Sequence, residues 1–153
     1  MIVVSDTGPL FYLTLIGISE QLPYLYGSVY IPRSVLLELQ HDHSPITDWK
    51  VAIPEWLNVA TPSKLITNFT LDQGEREAIS LAITLQADVL LIDERAGRNA
   101  AKLLGLTVTG TLGVIVDDHA QGLFNGHEIL GRLAETSFYA SADLMDSLRR
   151  KLT

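Results

Sequence analysis

Two short apolar runs, residues 2–5 and 89–92, each lead directly into an aspartate, Asp6 and Asp93, and then into a helix signal. An unbroken run rich in Val, Ile and Leu, without polar alternation, marks a strand buried on both faces. Such strands belong to parallel sheets whose two faces are covered by helices. In an open sheet of that kind, ligands sit outside the carboxyl ends of the strands. Asp6 and Asp93 both fall there.

The rest of the chain fits the same plan. Pro9 suits the first turn of a helix that runs to Gly17, and a second short helix is expected over 19–26. Residues 28–31 read as a strand, and Pro32 opens a helix over 33–40 with Val35, Leu36 and Leu39 as its apolar stripe. A short strand is expected at 57–60 and loop at 61–70. The strongest helical periodicity runs over 73–86, through Ala78, Ile79, Ala82, Ile83 and Leu85. A strand at 88–92 follows, then a helix over 94–104 and a strand at 106–109. Helices over 112–120, 126–135 and 142–151 complete a single domain spanning 1–153. The fold class is α/β.

Composition narrows the chemistry. The chain of 153 residues is 47% hydrophobic, enough for one core without staples. It has no cysteine, which removes disulfides and thiolate metal sites. Any metal must be held by oxygen or imidazole, and oxygen-rich sites favour magnesium, manganese or calcium. No basic region precedes the first apolar residues, which argues against a signal peptide. The apolar stretch 8–18 falls short of the roughly 20 residues needed to span a bilayer. A cytoplasmic protein without membrane contact is expected. The net charge of −7 counts against a broad nucleic-acid-binding surface, but a cluster of acids that binds cations accounts for part of it.

Four acids stand out: Asp6, Glu38, Glu75 and Asp93. Each also has a plain structural reading. Asp6 and Asp93 precede helices and suit N-caps. Glu38 sits beside the apolar stripe of its helix and could face solvent. Asp72-Gln73-Gly74-Glu75 has the form of a capping box, with Asp72 as N-cap and Glu75 three residues on. Together, four converging carboxylates raise one another's pKa and call for a cation. A divalent ion there would supply an activated water and positive charge for phosphodiester cleavage.

The ordered segments resemble the PIN-domain ribonucleases, in the subgroup similar to VapC toxins (DUF3368-like). The segments are Val4-Ser5-Asp6-Thr7-Gly8-Pro9-Leu10, Ile31-Pro32-Arg33-Ser34-Val35-Leu36-Leu37-Glu38-Leu39, Leu71-Asp72-Gln73-Gly74-Glu75-Arg76-Glu77-Ala78-Ile79, Ala87-Asp88-Val89-Leu90-Leu91-Ile92-Asp93-Glu94 and Gly105-Leu106-Thr107-Val108-Thr109-Gly110-Thr111-Leu112-Gly113. They span nearly the whole chain. The resemblance implies a three-layer α/β/α PIN-like domain with a central parallel sheet. It implies a metal site at Asp6, Glu38, Glu75 and Asp93 that binds Mg2+ or Mn2+ and hydrolyses RNA, with Thr7 in support. It further implies the toxin of a toxin–antitoxin pair, with an antitoxin protein as partner and a homodimeric state, to which Phe124, Phe138 and Tyr139 could contribute. Arg33, Arg76, Arg95, Arg98 and Lys102 are candidates for RNA phosphate contacts.

Other features carry less. His41-Asp42-His43 reads as a polar helix-end loop and lacks helical metal spacing. Asp117-Asp118-His119 reads as a surface helix end. Two other functions are weighed: a PIN-like interaction module without activity, and a magnesium-dependent haloacid-dehalogenase-like phosphatase with Asp6 as nucleophile. The latter needs a second Asp two residues on, where this chain has Gly8.

Overall fold

A computed structural model describes residues 1–152. In chain order the elements are β1 (Ile2–Ser5), α1 (Thr7–Leu15), α2 (Leu22–Tyr26), β2 (Ser28–Ile31), α3 (Arg33–Leu39), β3 (Leu57–Val59), α4 (Gln73–Leu85), β4 (Val89–Leu91), α5 (Arg95–Leu103), β5 (Val108–Thr109), α6 (Thr111–Ala120), α7 (Gly126–Ala134) and α8 (Ala142–Lys151). The expected helix at 19–26 divides into a 3-10 turn at Ser19–Gln21 and the α-helix α2. Pro23 explains the break, because a proline without an N–H is tolerated only in a helix's first turn. The strand expected at 106–109 shortens to Val108–Thr109, although Leu90 N–H still donates to Thr107 O at 2.9 Å.

All strands of the sheet are parallel, in the order β3-β2-β1-β4-β5. The order runs outward in both directions from the β1/β4 pair, which is the doubly wound arrangement. Alternate side chains of each strand therefore feed two separate cores. Val3, Val29, Ile31 and Leu91 pack with Leu10, Leu13, Val35, Ile115, Leu130 and Leu148 on one face. Val4, Leu90 and Ile92 pack with Ala78, Ile79, Ala82, Ala100 and Ala101 on the other. So α1, α3, α6, α7 and α8 cover one side, and α4 and α5 the other. The three-layer α/β/α architecture expected from the sequence is the one observed.

The long segment between β3 and α4 is pinned from within α4. Arg76 donates through Nη1 to Ile66 O at 2.6 Å and through Nη2 to Phe69 O at 2.5 Å. Its guanidinium is spent on the backbone that leads into Asp72, so Arg76 is a structural anchor rather than the phosphate contact it resembled in sequence. Ser80 Oγ also accepts from Ile66 N–H at 3.0 Å. Replacing Arg76 by Ala should cost about 2–3 kcal/mol, the range for hydrogen bonds to a charged group. Urea unfolding would read the loss, and limited proteolysis should find new cleavage within residues 61–71.

Candidate functional site

Because β1 and β4 are neighbours, their carboxyl ends open together at the point where strand order reverses. Ser5 pairs with Leu91, and Asp6 N–H donates to Leu91 O at 2.8 Å. A cleft of about 970 Å³ opens there, its charged side formed by Asp6, Glu38, Asp72, Asp93, Arg95 and Arg98.

Asp6 is only 7% exposed. It occupies the N-cap position of α1, yet its side chain makes no capping bond. The cap reading does not explain it, and its carboxylate faces the cleft. Glu38 comes from the last turn of α3, whose Val35 and Leu39 are fully buried and fix the helix against its neighbours. Thr7 Oγ1 donates to Glu38 Oε2 at 2.7 Å, which orients that carboxylate.

The capping box at the start of α4 is complete. Asp72 Oδ1 accepts from Glu75 N–H at 2.8 Å, and Glu75 Oε1 accepts from Asp72 N–H at 3.1 Å. Glu75 is 6% exposed and is absent from the cleft wall, whereas Asp72 lines it. Gly74 lies between them. A Cβ at that position would sit 2.8 Å from Glu38 Oε1, 3.4 Å from Asp6 Oδ1 and 3.5 Å from Asp72 Oδ1. Three carboxylates thus converge on a space left open by the missing side chain of Gly74.

Asp93 follows β4, the strand beside the one that ends at Asp6, and lines the same cleft. Its Oδ1 accepts from Thr111 N–H and its Oδ2 from Thr111 Oγ1, both at 2.7 Å. Those bonds place it against the start of α6 rather than α5, whose N-cap is Glu94 without a side-chain bond. Gly110 and Gly8 leave room around it, since a Cβ at either would stand 2.7 Å or 3.3 Å from an Asp93 oxygen. A Cβ at residue 8 would press on Asp93, and the chain carries glycine there rather than the second aspartate of a phosphatase motif.

Electrostatics follow from this crowding. Burial pushes Asp6 up to about 7; the Thr7 backbone N–H opposes the shift, and the charges of Asp72, Glu75 and Glu38 add to it. Burial also raises Glu75, offset by its hydrogen bond from Asp72 N–H and reinforced by the Asp72 and Glu94 charges. Asp93 is raised by burial as well, with the Thr111 bonds and Arg98 opposing.

Sequence reasoning missed Asp72 and Thr111. The signal for Asp72 was present in the capping box, where one motif holds two acids and only the second was singled out for the site. Thr111 gave no local signal, because its contact to Asp93 crosses two elements. Asp118 was misplaced: it is buried, with Oδ1 unpartnered, on the face of α6 shared with Thr111 and Ile115. Asp117 meanwhile accepts from Tyr26 Oη at 2.5 Å. His41, Asp42 and His43 are exposed, as expected of a loop. Among the basic candidates, Arg95 and Arg98 line the cleft, Arg33 lines a smaller adjoining groove with His41, and Lys102 lines neither.

Among the described residues, no group of three His, Asp or Glu side chains stands ready-made as a metal-ligand set. The donor chemistry nevertheless fits a hard divalent cation. All donors are carboxylate oxygens, burial and the neighbouring charges raise Asp6, and Gly74 keeps a cradle clear between three of them.

The family model of DUF3368, described as a PIN domain, matches residues 2–153. No curated protein matches the sequence. Among solved structures, a PilT N-terminus domain protein from the hyperthermophilic archaeon Sulfolobus solfataricus P2 is similar at 18% identity, covering 92% of this chain and 100% of that one, with a TM-score of 0.49.

Two outcomes follow from the geometry. Burial holds the folded pKa of Asp6 at about 7, against an ordinary aspartate value of 3.8. The folded state therefore holds its proton more tightly than the unfolded state does. That contribution to stability is full below about pH 4 and is lost as pH rises through 7. In EDTA, Asp6→Asn should be more stable than the native protein at pH 8, by at most about 4 kcal/mol, with the gap closing toward pH 4. Urea titrations across that range read it; an equal gap at both ends would refute the assignment. Gly74→Ala should press its methyl on Glu38 and weaken manganese binding roughly tenfold or more in calorimetry, with little loss of helix content.

Proposed function

Because the chain belongs to the DUF3368 family of PIN domains, we propose that it is a divalent-metal-dependent endoribonuclease, and that residues 1–153 act as one catalytic domain. The observation that carries this reading is the convergence of Asp6, Glu38 and Asp72 on the Gly74 cradle, with Asp93 lining the same cleft. Asp6, Glu38 and Asp93 would hold Mg2+ or Mn2+, with Asp72 close enough to join them. Glu75, the fourth acid of the expected set, acts by fixing Asp72 and the first turn of α4. When bound, the cation supplies an activated water for in-line attack on a phosphodiester and charge to offset the leaving oxygen.

The chain's own groups supply the rest. Thr7 Oγ1 holds Glu38 through Oε2, and Thr111 holds Asp93 through both oxygens, so neither carboxylate must be ordered when substrate arrives. Arg95 and Arg98 lie in the same cleft and suit the flanking phosphates. The net charge of −7 leaves RNA attraction to this local pair and to the bound cation rather than to the general surface. The similarity of the segments to VapC toxins supports a toxin paired with an antitoxin, and a homodimeric, cytoplasmic state. The lack of cysteine is in keeping with a reducing compartment. No helix among the described residues is long and apolar enough to cross a membrane.

The absence of a ready-made three-ligand set favours one competing reading, a PIN-like module that binds partners without catalysis. A cleavage assay separates the two. Purified protein with single-stranded RNA should cut in magnesium or manganese and stop in EDTA. Asp6→Asn and Asp93→Asn should each lose roughly 100-fold or more of the rate, as removal of a charge-stabilising group typically does. Equal cutting by native and variant proteins, or cutting that survives EDTA, would reject the metal-nuclease reading.

A further inference from the structure

The cleft lining is of two kinds. Besides the acids and arginines, its wall includes Tyr12, Leu112, Ser137, Phe138, Tyr139 and Leu144. Tyr12 comes from α1, and residues 137–139 belong to the link between α7 and α8. That link is held in place. Tyr12 Oη and Ser137 Oγ share a hydrogen bond of 2.9 Å. The Phe138 ring meets Tyr12 edge to face, with centroids 5.1 Å apart at 85°, and Tyr12 meets Phe11 in the same way at 5.0 Å. Phe138 and Phe124 are partly buried and pack against the core.

Tyr139 differs. It is 88% exposed although its two predecessors are docked. A large aromatic left in water contributes little to the isolated fold. Its position is nonetheless defined, because the preceding two residues are fixed on Tyr12.

From this we infer that Tyr139, on the platform of Tyr12 and Phe138, is a stacking residue for one unpaired nucleobase next to the carboxylates. The inference rests on the nuclease reading and deepens it. A nucleotide carries a phosphate and a flat π-face a fixed distance apart. The cleft offers arginines and acids for the first and an exposed phenol ring for the second. A duplex keeps its base faces inside the stack, so only a strand with an unpaired base can use both. Tyr139 thereby acts as a specificity-determining residue for unpaired segments, and it discriminates weakly among bases because each of them has a π-face.

The test uses two single-stranded hexaribonucleotides, one with 2-aminopurine at its centre and one abasic at that position, the latter with an end-attached dye. Binding is titrated in EDTA, where metal-dependent cleavage cannot run. Native protein should quench 2-aminopurine and bind that hexamer more tightly than the abasic one. Tyr139→Ala should lose roughly tenfold to a hundredfold in affinity for the base-bearing hexamer, the usual effect of removing one stacking ring, and bind the abasic hexamer as before. Tyr139→Phe should restore both affinity and quenching; Tyr139→Leu should not. In magnesium, Tyr139→Ala should raise KM for the single strand by the same factor, with kcat falling less. Equal binding of the two hexamers by native protein overturns the inference and leaves the wall to a peptide partner. Full rescue by Leu overturns it as well, since a plain apolar contact would then suffice. If native protein cleaves no RNA, the nuclease reading falls, while the quenching titration still decides the subsite.

Discussion

Two buried carboxylates, Asp6 and Glu75, stand beside the exposed Glu38 and Asp72, and this end of the molecule is organised around their mutual repulsion. Asp6 sits at the end of a strand buried on both faces, so its charge is poorly solvated before any neighbour is counted. Glu38, Asp72 and Glu75 then add their fields. The fold manages the strain with oriented donors rather than with paired cations: Thr7 on Glu38, Thr111 on Asp93, and the reciprocal backbone bonds between Asp72 and Glu75. These donors hold the acids apart and in position. They leave a negatively charged space at the strand switch point of the doubly wound sheet.

The capping box at α4 shows one motif serving two ends. Its reciprocal bonds secure the helix start, which is a local matter. The same bonds orient Asp72 toward the cleft and Glu75 beneath it. Gly74 between them permits the close approach of Glu38, at the expense of helix propensity in the first turn. Arg76, one residue further on, fastens the loop that leads into the motif. The short stretch from Asp72 to Arg76 thus couples loop, helix and site.

The aromatic part of the cleft is built from segments distant in sequence. Tyr12 belongs to the first helix and Ser137–Phe138–Tyr139 to the last connection, yet a hydrogen bond and an edge-to-face pair join them. Docking of the C-terminal helices therefore completes the cleft as well as one core. The link itself contributes no strand to the sheet.

Much of this was legible in the sequence. Apolar runs without alternation identified buried parallel strands, and the acids that follow them were placed at the sheet's carboxyl edge, because strand period and topology depend on local pattern. Asp6 and Asp93 could be chosen on that basis, and Glu38 from its place beside the apolar stripe of its helix. Tertiary structure decided the rest. Whether Asp72 or Glu75 faces the cleft depends on the direction of two carboxyl groups in a single helical turn, and spacing does not set that direction. The partner of Asp93 arrives from another element, and so does the helix packing that buries Asp118. Such contacts arise from packing between elements far apart in the chain, which no window of sequence contains.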